Sequence, residues 1–330
     1  MKRASGCLFG MAFGDALGAK TEFMSVDQIL RKYPPHGPEE ISGNPALVTD
    51  DSQMALAVGE ALLEAERPYT VSTLEPPLRK AFVDWYESPE NDRAPGMTCL
   101  TACGKLKLGM PWLQATVENS KGCAANMRVQ PVGLLKGVTD VERAAIAQFQ
   151  AALTHGHPTG LAAADLTSKA IALIVDGAYP EDLVAALKDY AMSQRKVYHE
   201  DWLGDLWQQP MMESPVQFIS RGWDECLIRI YRIETALEFA DKTVDPCTLT
   251  GLGWIAEEAF ATGLLCFLLF PDDPVGAIRH AAVTAGDSDS IACLTGAFAG
   301  AHWGLDAWPS DWVERIEYKD RLTRLGEAWD

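Results

Sequence analysis

Gly286-Asp287-Ser288-Asp289-Ser290-Ile291-Ala292-Cys293-Leu294 runs from an acidic, hydroxyl-rich cluster straight into an apolar helical pattern. About 240 residues earlier, Thr49-Asp50-Asp51-Ser52 does the same, leading into Met54-Ala55-Leu56-Ala57-Val58. Taken alone, either cluster reads as a helix cap, because carboxylates and hydroxyls satisfy the free N–H groups of a first turn. Taken together they ask for more. Each carries more acid than a cap needs, and each feeds a helix that is apolar nearly all round. Such helices are core elements, so their starts point into the interior or into a cleft. Adjacent carboxylates there repel one another unless a cation lies between them. The ligand set is all hard oxygen, which suits Mg²⁺, Mn²⁺ or Ca²⁺ rather than zinc or copper. Brought together by the fold, the clusters would hold two ions.

Helical periodicity dominates the rest of the chain, and strand-like alternation is almost absent. The pattern predicts helices over residues 4–18, 51–66, 72–86, 140–153, 160–176, 180–193, 223–240, 252–270, 274–285 and 290–304. One or two amphipathic helices are expected within 311–329. Residues 34–38, 88–96 and 202–221 read as non-helical. With no linker and no internal repeat, the expectation is all-α: one compact multi-helix domain over residues 1–330, with a central cleft. Gly6, Gly10, Gly14 and Gly18 form an i+4 ladder on the first helix, and Gly296, Ala297, Ala299, Gly300 and Ala301 do the same near the end. Glycine inside a helix costs about 1 kcal/mol against alanine, so close packing of these two helices is the simplest reason for the ladders.

The formal net charge of −18 disfavours nucleic acid and anionic membranes as partners. It equally disfavours an anionic substrate unless bound cations invert the local potential. Eight scattered cysteines suit reduced, buried thiols, and a cytoplasmic protein is expected. The longest strongly apolar run, residues 259–270, is too short to span a bilayer. Glu22, just past the glycine ladder, reads as a surface acid or as an acid/base group beside the metals. Thr154-His155-Gly156-His157-Pro158 closes a helix with two histidines, which read as charges matching the dipole. As a zinc pair they lack a third ligand.

These motifs together resemble the ADP-ribosylglycohydrolase family. Its pattern runs G-D-A-L-G-x-x-x-E-F, T-D-D-[ST], S-x-G-[NC]-G-x-x-M-R-x-x-P, [TS]-H-x-x-P and G-D-[TS]-D-[TS]-I-A. This chain carries 14–23, 49–52, 120–131, 154–158 and 286–292 in that order. The resemblance implies an all-α fold with a binuclear Mg²⁺ or Mn²⁺ centre. It assigns the metal ligands to Thr49, Asp50, Asp51, Asp287, Asp289 and Ser290, and places Glu22 near the scissile bond. Ser120, Gly122, Cys123, Ala124 and Met127 fall on the loop around the phosphates and distal ribose of ADP-ribose, with His155 as a ligand contact. Two departures stand out. The glycine-rich loop reads Gly122-Cys123-Ala124-Ala125, and a stretch that is often D-I-G-x-T-T reads Ala94-Pro95-Gly96-Met97-Thr98-Cys99. The second removes an acidic side chain from the substrate side.

The activity implied is removal of ADP-ribose from modified protein side chains, arginine-linked by resemblance to the bacterial members. Catalysis would rest on Glu22, Asp50 and Asp289. Serine-linked or small-molecule conjugates are the alternative substrates. A second reading is an ADP-ribose-binding or toxin-immunity protein that uses the same pocket, with an ADP-ribosyltransferase or toxin as partner. An unrelated two-metal phosphohydrolase would be distinguished by phosphate release.

Overall fold

The computed structural model describes residues 1–330. Its regular structure is entirely helical, and β pairing is confined to three isolated bridges. A contiguous hydrophobic cluster of 85 buried residues draws on helices from both ends of the chain. At its centre Arg3–Gly18 lies antiparallel against Ser288–Trp303. The glycine ladders are the cause. A Cβ at Gly6 would lie 2.4 Å from the Gly300 carbonyl oxygen, and one at Gly10 would lie 2.2 Å from that of Gly296. At Gly14 and Gly18 the same distances, to Ala292 and Ser288, are 1.9 and 2.4 Å. The two backbones therefore approach as no side chain would allow, and the pairing carries the end of the first helix to the start of the other. Glu22 arrives beside Asp287 and Asp289 for that reason.

Asp50–Glu64 starts at the first acidic cluster, where the Thr49 hydroxyl accepts the Asp51 amide as an N-cap. Pro158–Val175 is long and apolar enough by composition to cross a bilayer, yet 83% of it is buried inside the protein. It is a core helix, packed between Asp140–Ala152 and Pro215–Phe239.

Two helices had no counterpart in the sequence expectations, and two expectations are corrected. Val26–Lys32 is a helix with a full capping box from Ser25 and Gln28. Met97–Lys107 is another, starting directly after Gly96. Within 202–221, short helical turns cover Glu200–Leu203 and Gly204–Trp207, and a long helix already begins at Pro215, capped by the Ser214 hydroxyl. Conversely, residues 252–255 are not helical. Gly251 and Gly253 sit at φ +124° and +86°, and the Leu252 carbonyl is turned away to accept the Asp287 amide at 2.8 Å. All eight cysteines are free, and seven of them are buried.

Candidate metal centre and substrate cleft

The two acidic clusters meet. Glu22, Asp50, Asp51, Asp287, Asp289 and Ser290 line one cavity of about 300 Å³. Glu22, Asp287 and Asp289 each offer a carboxylate oxygen within 4.8 Å of the others, and the Ser290 hydroxyl lies 3.5 Å from Asp51 Oδ1. Asp51 Oδ2 and Asp289 Oδ1 are buried without any hydrogen-bond partner. A buried carboxylate oxygen left unpaired costs at least the desolvation of that atom, and more when it is charged. Two such atoms on facing helix starts, inside a set of hard oxygen donors, fit divalent cations.

Electrostatics agree. Burial first, and the Asp289 charge second, pushes Glu22 up to about 9 and Asp50 up to about 8. Asp51 and Asp287 are raised well above the usual carboxylate range for the same two reasons. In such a cluster, a cation is what allows every carboxylate to ionise together.

One carboxylate behind the cavity organises the first cluster, and the sequence reading missed its role. Asp15 is fully buried on the first helix. Its Oδ1 and Oδ2 accept the Thr49 amide at 3.0 and 3.1 Å, and Oδ2 also accepts the amide and hydroxyl of Ser52 at 3.1 and 2.6 Å. An aspartate between Gly14 and Ala16, in an otherwise apolar small-residue helix, was the available signal.

Opposite the acids lies the 120–128 loop. Gly122, Cys123, Ala124 and Met127 line the cavity, and the Cys123 thiol donates to Asp287 Oδ2 at 3.0 Å. The loop is pinned from outside by Lys121, whose ammonium donates to Glu225 and Glu257 at 2.5 and 2.6 Å. From inside it is pinned by Cys123 N, which donates to the Trp254 carbonyl at 3.2 Å. His155 also lines the cavity. Its Nδ1 shares a 2.8 Å hydrogen bond with the Thr154 hydroxyl, while Nε2 is buried and unpartnered. Burial holds the ring neutral.

Behind His155 stands Arg128, completely buried. It donates to the Gln150 side chain, the Gln150 carbonyl and the Thr154 hydroxyl at 2.7–2.8 Å. Its guanidinium also covers the Phe82 ring, 4.4 Å from the centroid. His157 belongs to the fold rather than the cleft. Its Nδ1 caps the next helix by accepting the Thr159 amide at 3.2 Å, and burial lowers its pKa to about 4. Neither histidine is therefore a charge matching a helix end, which corrects that expectation.

Two expected site residues stand outside the cavity wall. Thr49 is occupied as the helix cap. Ser120 shares a 2.8 Å hydrogen bond between its hydroxyl and that of Thr98, which does line the cavity. Phe23 and Trp254 line the cavity too, without having been singled out from the sequence.

The all-helical fold thus gathers buried acids from two distant helix starts opposite a small-residue loop and a neutral histidine. The family model described as ADP-ribosylglycohydrolase matches residues 1–329, and the chain belongs to that family, which makes it a glycohydrolase. It is 25% identical to the ADP-ribosylarginine hydrolase Tri1 of Serratia proteamaculans, over 99% of this chain and 78% of that protein. Against the human ADP-ribosylhydrolase ARH3 the identity is 27%, over 99% and 93%. Against the ADP-ribosyl-[dinitrogen reductase] glycohydrolase of Rhodospirillum rubrum it is 26%, over 96% and 91%. A solved chain described as an ADP-ribosylglycohydrolase-related protein complex shares the fold, with a TM-score of 0.70 at 22% identity, covering 99% of this chain and 96% of that one.

Proposed function

We propose that this protein removes ADP-ribose from modified protein side chains, with arginine as the linked residue. The observation that carries this is the convergence of Glu22, Asp50, Asp51, Asp287 and Asp289 on one cavity whose other wall is the 122–127 loop and His155. The names of two relatives, the arginine hydrolase Tri1 and the dinitrogen reductase glycohydrolase, support ADP-ribose as the group released. The first of them supports arginine as the residue that carried it.

Asp50, Asp51, Asp287, Asp289 and Ser290 would hold two divalent cations, Mg²⁺ or Mn²⁺. Bound there, the ions neutralise the acids, polarise ribose hydroxyls and water, and make the cavity hospitable to a pyrophosphate. The remaining tasks fall to the chain's own groups. Asp15 fixes the Thr49–Ser52 turn, so that Asp50 and Asp51 face the cavity at a set spacing. His155 Nε2 and the 122–127 backbone orient ADP-ribose. Glu22, half-buried at the cleft mouth beside Asp289, takes the proton of the water whose oxygen bonds to the anomeric carbon and returns it to the guanidino nitrogen that leaves as the C–N bond breaks. Product analysis of an ADP-ribosylarginine peptide tests the reading: intact ADP-ribose and unmodified arginine are expected. AMP or inorganic phosphate as the product would contradict it and favour phosphoester chemistry.

A further inference from the structure

Above the cavity, the loop bearing Glu22 meets the 252–255 segment through two aromatic rings. Phe23 and Trp254 stack with centroids 5.5 Å apart and planes inclined by 15°. Phe23 is 71% exposed and Trp254 39%, so the pair stands at the mouth rather than in the core. The backbone holds it there. Phe23 occupies the left-handed region at φ +61°, and Trp254 follows Gly253 at φ +86°. The Trp254 carbonyl is fixed by the Cys123 amide, and Leu252 by the Asp287 amide. A bulky side chain in left-handed backbone is uncommon and is kept only where the surroundings demand it, often at a functional site. Packing gives little reason here, since Phe23 buries so little of its ring.

We infer that the Phe23–Trp254 pair receives the planar guanidinium of the arginine that leaves; this rests on the arginine reading proposed above. Aromatic faces attract cations, and guanidinium in particular stacks flat upon them. No lysine or arginine lines the cavity, so no fixed cation of the chain repels a guanidinium there. Across the opening, Ala94, Gly96 and Met97 offer no charge, so no acid on that wall competes for the cation. Phe23 follows Glu22 directly in the chain, which puts it at the Glu22 end of the cavity, where the proposed reading has the scissile bond. A serine hydroxyl has neither plane nor charge to stack, so the pair selects linkage as well as orientation.

The test compares the wild-type chain with Phe23→Leu/Trp254→Leu, and with the aromatic replacement Phe23→Tyr/Trp254→Phe, all with Mg²⁺. An ADP-ribosylarginine peptide is the substrate, and ADP-ribose affinity is measured calorimetrically as the control. The leucine variant is expected to raise KM for the peptide about tenfold, with kcat and ADP-ribose affinity within about twofold of wild type and with the aromatic replacement restoring KM. An unchanged KM in the leucine variant overturns this inference alone. So does an equal loss of ADP-ribose affinity, which would make the rings part of the general pocket wall. A wild-type chain that binds ADP-ribose but leaves the arginine peptide intact refutes the arginine reading, and the inference falls with it.

Discussion

Asp15 Oδ2 accepts the Ser52 hydroxyl at 2.6 Å, joining the last turn of the first helix to the acidic turn that opens the Asp50–Glu64 helix. The contact is fully buried and spans 37 residues of sequence. Through it, the glycine-tight pairing of two central helices governs the placement of both acidic clusters at once.

Asp15→Asn keeps the shape but presents an amide NH₂ to donors that need acceptors. Leaving buried groups unmatched costs about 1–3 kcal/mol each. The variant should melt several degrees lower in calorimetry and bind Mn²⁺ more weakly, although Asp15 does not line the cavity. Undiminished Mn²⁺ affinity would show that Asp15 does not position Asp50 and Asp51.

The helix pairing predicts a contrast between two glycines. Gly14→Ala would drive a methyl to 1.9 Å from the Ala292 carbonyl oxygen, and overpacking of a tight core costs about 1–3 kcal/mol or more. Gly104→Ala meets only Tyr86 Oη at 3.4 Å, and should be neutral or gain up to about 1 kcal/mol of helix propensity. Thermal unfolding of the two variants, side by side, checks the contrast. Equal melting temperatures would contradict it.

Without divalent cations, stability should fall as pH rises. Burial raises Asp15 from an ordinary 3.8 to about 7, Asp50 from 3.8 to about 8 and Glu22 from 4.5 to about 9. The folded chain therefore holds more protons than the unfolded one across that range, and by linkage it loses stability with each step up in pH. The contribution is complete below the unfolded values, roughly pH 4, and is gone once pH has passed about 9. Added Mg²⁺ should flatten the curve by binding the folded, ionised form. A melting temperature in EDTA that climbs between pH 5 and 9 would refute the assignment.

His155→Ala should weaken ADP-ribose binding about tenfold, the equivalent of one hydrogen bond from a buried partner, while leaving Mn²⁺ affinity intact. Calorimetric titration with each ligand separates the two effects. Arg128→Met should weaken ADP-ribose binding as well, through Thr154 and the His155 ring. It should also destabilise the fold, because the Gln150 acceptors lose their donor.

Much of this architecture was written locally in the chain. The Gly6-to-Gly18 spacing announces a helix that must be approached closely, and Asp287–Ser290 announces a core helix with a charged mouth. What escaped was non-local or masked. Asp15 looks like any acid in a helix until its partners, 34–37 residues away, are seen. Arg128 is a buried cation held by neutral oxygens, the sulfurs of Met54 and Cys99 and an aromatic face, a pairing no spacing rule reports. The segment 252–255 carries an apolar, helix-like pattern, and only the positive φ of Gly251 and Gly253 opens it into the strap that presents Trp254. The Val26–Lys32 helix had its signal in Ser25 and Gln28, obscured by the short length and the prolines that follow.

The most direct test of the central claim is release of ADP-ribose from an arginine-ADP-ribosylated protein, measured with Mg²⁺, with Mn²⁺ and with EDTA, for the wild-type chain and for Asp50→Asn and Asp289→Asn. Release is expected in either metal and not in EDTA, with a loss of at least about a hundredfold in each variant. Undiminished release in EDTA, or full turnover by both variants, would contradict it.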